Sequence, residues 1–256
     1  MDLPPRCDAP PALVVVAGQS NALGYTLSRA DLPRRLRGPM PAVWIWEASK
    51  ERFSPMTPGE NTGSPNNPHA WGPEAQFAWR WRASSCAPLY IVKYARGETG
   101  LTPDEARLDW SPGSAGDHID AASSQISAAK AALADKGLAP RLQALLWMQG
   151  ETDASDKAKA AAYELNLKSF ITQVRARWGD ARTIVHIGQI DRLGQGYPGW
   201  PQVRRAQARV AAADSHATLV DTDPFPRQSA DGLHLTAAAQ VRLGDGFFEA
   251  QLAKAP

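Results

Sequence analysis

Short runs of branched apolar residues recur along the chain with little polar alternation: LVVVA, AVWIW, LYIVKYA, LQALLWM, TIVHIG and TLVD. Such runs suit strands buried on both faces, as in a parallel sheet covered by helices. Between several of them the apolar period changes to that of a helix. Ile119, Ala122, Ile126, Ala129 and Leu133 share one helical face, and Gly137 stands where that helix would stop. Tyr163, Leu167, Phe170, Ile171, Val174 and Trp178 form a second stripe ended by Gly179. Pro201 suits a first helical position and Thr236 a cap, which adds two more helices. Strands alternating with helices predict an α/β fold, a doubly wound parallel sheet.

The chain has 256 residues, 43% of them hydrophobic, enough for one large core. It shows no internal repeat, and residues 1–256 read as a single domain with a long loop insertion near 47–72, rich in Pro, Gly, Asn and Ser. A smaller irregular segment covers 96–116. Loops of this length are usually functional or mobile, and loops that follow parallel strands gather at the sheet's carboxyl edge, where ligands bind.

Charge names no partner. The 28 basic and 26 acidic residues are scattered, with no block suited to nucleic acid or a membrane surface. No apolar run approaches the roughly 18 residues of a membrane span, and ALVVVAG is short and valine-rich for a signal peptide. Two cysteines, Cys7 and Cys86, are too few for a disulfide framework and too far apart for a CxxC pair. Free thiols are the default expectation. Each cysteine nevertheless precedes an expected strand, so a parallel sheet can bring the two together. This usage fits a bacterial cytoplasm and equally a secreted protein with a trimmed signal.

Candidate chemistry lies at the ends of the expected strands. In VVVAGQSNALG, Ser20 follows a buried strand and opens a helix, a place for a nucleophile and equally for a simple helix cap. The segment is not GxSxG, because Ala22 occupies the last position. A serine needs a base, and DGLHL offers one: Asp231 can hold one ring nitrogen of His234 while the other faces Ser20. A surface Asp–His pair is the alternative. In WMQGETD, the Gln149 amide and the Gly150 N–H are candidate donors to an oxyanion. Glu151 and Asp153 admit a metal reading, but no second cluster has ligand spacing, and they also suit a helix start. In YARGETGL, Gly97 or a neighbouring amide is a further oxyanion donor, or an ordinary turn glycine.

GQSN, QGETD and DGLH, in that order, resemble the nucleophile, QGE-x-D and D-x-x-H blocks of the SGNH-hydrolase superfamily. They fit specifically its sialate O-acetylesterase-like branch, which includes carbohydrate esterase family 6. WGPE (71–74), VRRAQ (203–207) and the spacing across nearly the whole chain add to the likeness. The resemblance implies a flavodoxin-like three-layer α/β/α sandwich and a cofactor-free esterase that removes acetyl groups from carbohydrate. It implies Ser20 as nucleophile, His234 as base and Asp231 as its orienting carboxylate. The oxyanion hole would comprise the Ser20 and Gly97 amides and the Gln149 side chain, with Gln19, Asn21, Gly150 and Glu151 supporting the site. Relatives usually carry paired glycines in the second block, whereas Glu98 follows Gly97 here.

The implied partner is an acetylated carbohydrate, with neither nucleic acid nor membrane. Among nine tryptophans, Trp71 and Trp110 stand in loop-like context and are the candidates for stacking on sugar rings. A non-catalytic carbohydrate-binding protein on the same fold, and a lipase or thioesterase with an apolar acyl channel, are the competing readings.

Overall fold

A computed structural model describes residues 9–254 except 26, 105–108, 113, 115–117 and 229. The strands among them are β1 (Ala12–Gly18), β2 (Val43–Glu47), β3 (Arg52–Pro55), β4 (Leu89–Ala95), β5 (Leu142–Met148), β6 (Ile184–Gly188) and β7 (Ala217–Val220). They form one sheet in the order β3-β2-β4-β1-β5-β6-β7, parallel throughout except for β3, which runs antiparallel to β2 at the edge. All of β1 is buried, as its unbroken apolar run requires.

The helices are α1 (Ser20–Leu23), α2 (Glu74–Ser84), α3 (His118–Ala134), α4 (Glu151–Ala154), α5 (Lys157–Arg177), α6 (Trp200–Ala213) and α7 (Ala237–Lys254). The expected stripes of α3 and α5 are buried. Thr236 caps α7 through its hydroxyl, which accepts from the Ala239 N–H at 3.3 Å. Helices cover both faces of the sheet. Trp147 of β5 packs on Phe170 of α5 with ring centroids 4.2 Å apart, while His186 of β6 faces Phe247 of α7. No helix among the described residues is long and apolar enough to cross a membrane.

In the fold, the structure corrects the sequence reading in three places. The segment near 47–72 is not all loop, because β3 lies in it. Phe53 of β3 packs edge-on against Trp46 and Tyr90, which draws this four-residue strand onto the sheet. Helix α2 was not expected, since its inward face carries Glu74 and Gln76 beside Phe77, Ala78 and Trp81. Finally, Cys86, just before β4, is disulfide-bonded rather than a free thiol. Cys7 lies outside the described residues.

The topology places the site. Strand β1 is flanked by β4 on one side and β5 on the other. The segments leaving these three strands therefore converge at the carboxyl edge, at the point where the strand order changes direction.

Candidate active site

At the end of β1 the chain must turn at once. Gly18 has φ +136°, and a Cβ there would come within 2.0 Å of the Met148 carbonyl oxygen, so only glycine fits. Gln19 takes the N-cap position of α1 without a capping side-chain bond, and Ser20 is the first helical residue. This answers the capping alternative: the cap is Gln19. Among the described residues the Ser20 hydroxyl makes no hydrogen bond, and the side chain, 5% exposed, borders a cleft of about 1020 Å³.

His234 borders the same cleft. Its Nδ1 lies 2.7 Å from Asp231 Oδ2, while Asp231 Oδ1 accepts from the Leu233 and His234 amides at 2.8 and 3.0 Å. Partial burial works to raise the Asp231 carboxyl, but the His234 ring and these amides outweigh it and hold the group at about 2. An ionised Asp231 can accept a hydrogen bond from a protonated His234 Nδ1. His234 thus borders the cleft while Asp231 holds it from the exposed side.

Behind these residues lies a network that joins the three sequence blocks. Gln19 Oε1 accepts from the Gly150 and Thr152 amides, both at 3.3 Å. The Asn21 side-chain amide donates to Glu151 Oε1 at 2.7 Å, and Asn21 Oδ1 accepts from the Leu235 N–H at 2.9 Å. Gln240 of α7 donates to the Asn21 carbonyl at 2.7 Å. Burial raises the Glu151 carboxyl above the usual range, opposed by Asn21, Arg227 and His234.

The loop after β4 brings Gly97 against Ser20: a Cβ at Gly97 would meet Ser20 Cβ at 3.8 Å. Among the described residues neither the Ser20 nor the Gly97 N–H is taken up by a hydrogen bond, so both are available to an oxyanion. Glu98 has φ +61° and so adopts the backbone form that a glycine would supply.

Gln149 is not at the cleft, which corrects its reading as an oxyanion donor. It is fully buried, and its Nε2 donates to the Thr99 carbonyl at 3.0 Å and to Asp153 Oδ2 at 2.7 Å. Its Oε1 accepts from the Tyr163 hydroxyl at 3.0 Å. Both amide hydrogens are thus committed to holding the 96–102 loop. Asp153 completes that clamp by accepting from the Leu101 and Thr102 amides.

Trp71 and Trp110 are likewise corrected as sugar contacts. Both are fully buried, with indole N–H groups bonded to the Ser28 carbonyl and to Thr99 Oγ1. They brace the loops from behind. Among the described residues no group of three or more His, Cys, Asp or Glu side chains gathers where it could hold a metal.

One buried ion pair near the cleft escaped the sequence reading. Lys93 Nζ lies 2.7 Å from Glu74 Oε1 and donates to the Leu23 carbonyl at 3.0 Å, tying α2 and β4 to the end of α1. Burial pushes Lys93 down from its ordinary value, and Glu74 pulls it back. The available signal was a lysine within an apolar strand, which demands a buried partner.

A family model described as carbohydrate esterase, sialic acid-specific acetylesterase, matches residues 10–253. A probable carbohydrate esterase of Arabidopsis thaliana is 34% identical over 112 residues, which is 43% of this chain and 40% of that protein. The match therefore spans less than half of that relative's length. Among solved structures, an Arabidopsis thaliana protein superposes with TM-score 0.77 and 22% identity, covering 96% of this chain and 99% of that one. NanS superposes with TM-score 0.69 and 16% identity over 95% and 97% of the two chains. A carbohydrate acetylesterase from Xanthomonas citri gives 0.63 and 17% over 95% and 57%. At these identities the structural likenesses speak for the fold.

Proposed function

The chain belongs to the sialic acid-specific acetylesterase family of carbohydrate esterases, and from that premise we propose that it removes O-acetyl groups from a carbohydrate through a Ser20 acyl-enzyme. The observation that carries this reading is the shared cleft of Ser20 and His234, with the imidazole held by Asp231 at 2.7 Å.

In this reaction His234 Nε2 takes the hydroxyl proton as Ser20 Oγ attacks the acetyl carbonyl. The Ser20 and Gly97 amides face the oxygen that becomes negative. The tetrahedral intermediate collapses, the C–O bond to the sugar breaks, and His234 returns the proton to the departing sugar hydroxyl. Water then enters, loses a proton to His234 and attacks the acyl-serine. Acetate leaves and the Ser20 hydroxyl is restored.

The test is acetate release from an acetylated sugar by purified protein beside folded Ser20→Ala, His234→Ala and Asp231→Asn variants. Positioned base catalysis is worth about 10² to 10⁴ in rate. Ser20→Ala and His234→Ala are therefore expected to lose about 10³-fold or more, and Asp231→Asn less. Wild-type turnover in a folded Ser20→Ala variant would overturn the nucleophile. Faster turnover of an octanoyl than an acetyl ester would overturn the acetylesterase.

A further inference from the structure

Three large hydrophobic side chains stand exposed among the described residues: Tyr25, Leu165 and Leu252. Of these, only Tyr25 borders the cleft of Ser20 and His234, and it is 54% exposed there. The other aromatic side chains lining that cleft, Trp46, Tyr94 and Tyr197, are packed into or against the core. Among the described residues, Tyr25 is therefore the most open aromatic surface beside the catalytic residues, with Tyr94 and Tyr197 partly buried.

The position of Tyr25 is fixed rather than incidental. Gly24, with φ +81°, ends α1 and turns the chain outward. The Tyr25 N–H donates to the Ser20 carbonyl at 3.1 Å, and the Asn67 side-chain amide donates to the Tyr25 carbonyl at 2.6 Å. The ring centroid lies 5.1 Å from that of His234 at an interplanar angle of 41°. The phenol thus packs beside the catalytic imidazole while more than half of the residue stays exposed at the cleft.

A pyranose has hydroxyls around its rim and an apolar C–H face. An aromatic surface with a polar tip matches that pattern. We propose that Tyr25 is a specificity-determining residue, the platform on which the sugar ring stacks so that its acetyl group reaches Ser20. The proposal rests on the esterase reading above, and it moves the stacking role from the buried Trp71 and Trp110 to a residue five positions beyond the nucleophile.

The experiment compares two acetate esters, a peracetylated methyl xylopyranoside and ethyl acetate, which carries the same acyl group without a ring. Acetate release is followed for wild type, Tyr25→Ala, Tyr25→Phe and Tyr25→Trp. Tyr25→Ala is expected to lower the ratio of kcat/KM for the sugar ester over ethyl acetate by about tenfold, mainly through KM. Tyr25→Phe and Tyr25→Trp are expected to keep that ratio within about threefold of wild type. An unchanged ratio in Tyr25→Ala overturns the platform, including the case where both esters slow equally because His234 has lost a packing partner. The wild-type arm reads the underlying function separately: turnover of neither ester overturns the esterase reading, and turnover of ethyl acetate alone overturns the carbohydrate part and the platform with it.

Discussion

Asn21, the residue after Ser20, donates its side-chain amide to Glu151 Oε1 at 2.7 Å across 130 positions of sequence. The same side chain accepts from the Leu235 N–H, next to His234. One asparagine therefore sets the nucleophile block against both the acidic block and the histidine loop. Asn21→Ala would leave the buried Glu151 carboxyl and the Leu235 N–H without this partner. A loss of about 2 kcal/mol in urea unfolding is expected, with kcat falling about tenfold as the His234 loop loosens. Wild-type kcat in Asn21→Ala would show that the loop holds without it.

Glu98 sustains a φ of +61° in the loop that presents Gly97 to Ser20. A side chain there costs about 1–2 kcal/mol relative to glycine, and glycine in turn loses more entropy on folding. The backbone part of a Glu98→Gly exchange is therefore expected to favour the variant by about 0.5–1 kcal/mol, and thermal melts weigh this against the interaction that the Glu98 side chain gives up. A lower melting temperature in this variant would mean that the Glu98 side chain outweighs its backbone strain.

His186 is buried between Thr218 Oγ1 at 2.7 Å and Gln251 Oε1 at 2.8 Å. Burial lowers its pKa from 6.5 to about 4. With the folded value depressed, the unfolded chain binds more protons between these limits. The stabilising contribution is thus complete above about pH 6.5 and is lost as the pH falls toward 4, at up to about 1.4 kcal/mol per pH unit. Urea midpoints at pH 7.5, 5.5 and 4.5 should fall more steeply for wild type than for His186→Gln. Parallel slopes would place the acid sensitivity elsewhere.

Lys93 and Glu74 form a pair with side chains 5% and 0% exposed. Removing one partner strands the other charge in the interior. Lys93→Met or Glu74→Leu alone is expected to cost about 3–5 kcal/mol, and the double variant much less. Calorimetric unfolding of the three variants checks this; additive losses would show that the two residues act independently.

Much of this protein follows from local pattern. The unalternating runs of β1, β2 and β4–β7 and the stripes of α3 and α5 need only the sequence period, because burial on two faces or on one stripe selects residue types directly. Ser20 at a strand end and Asp231 three residues before His234 are likewise local relationships, and Ser20 and His234 border one cleft. What local pattern could not decide was the partner of each polar group. The inward face of α2 reads as polar because Glu74 and Gln76 meet Lys93, Arg35 and Asp245, which lie elsewhere in the chain. Gln149 faces away from the cleft because Thr99 and Asp153 take both its donors, and Trp110 is buried because Thr99 takes its indole N–H. The tertiary structure alone decided which aromatic ring was left most open at the cleft. A buried polar atom must be satisfied wherever the fold offers a partner, and that partner's place in sequence is unconstrained.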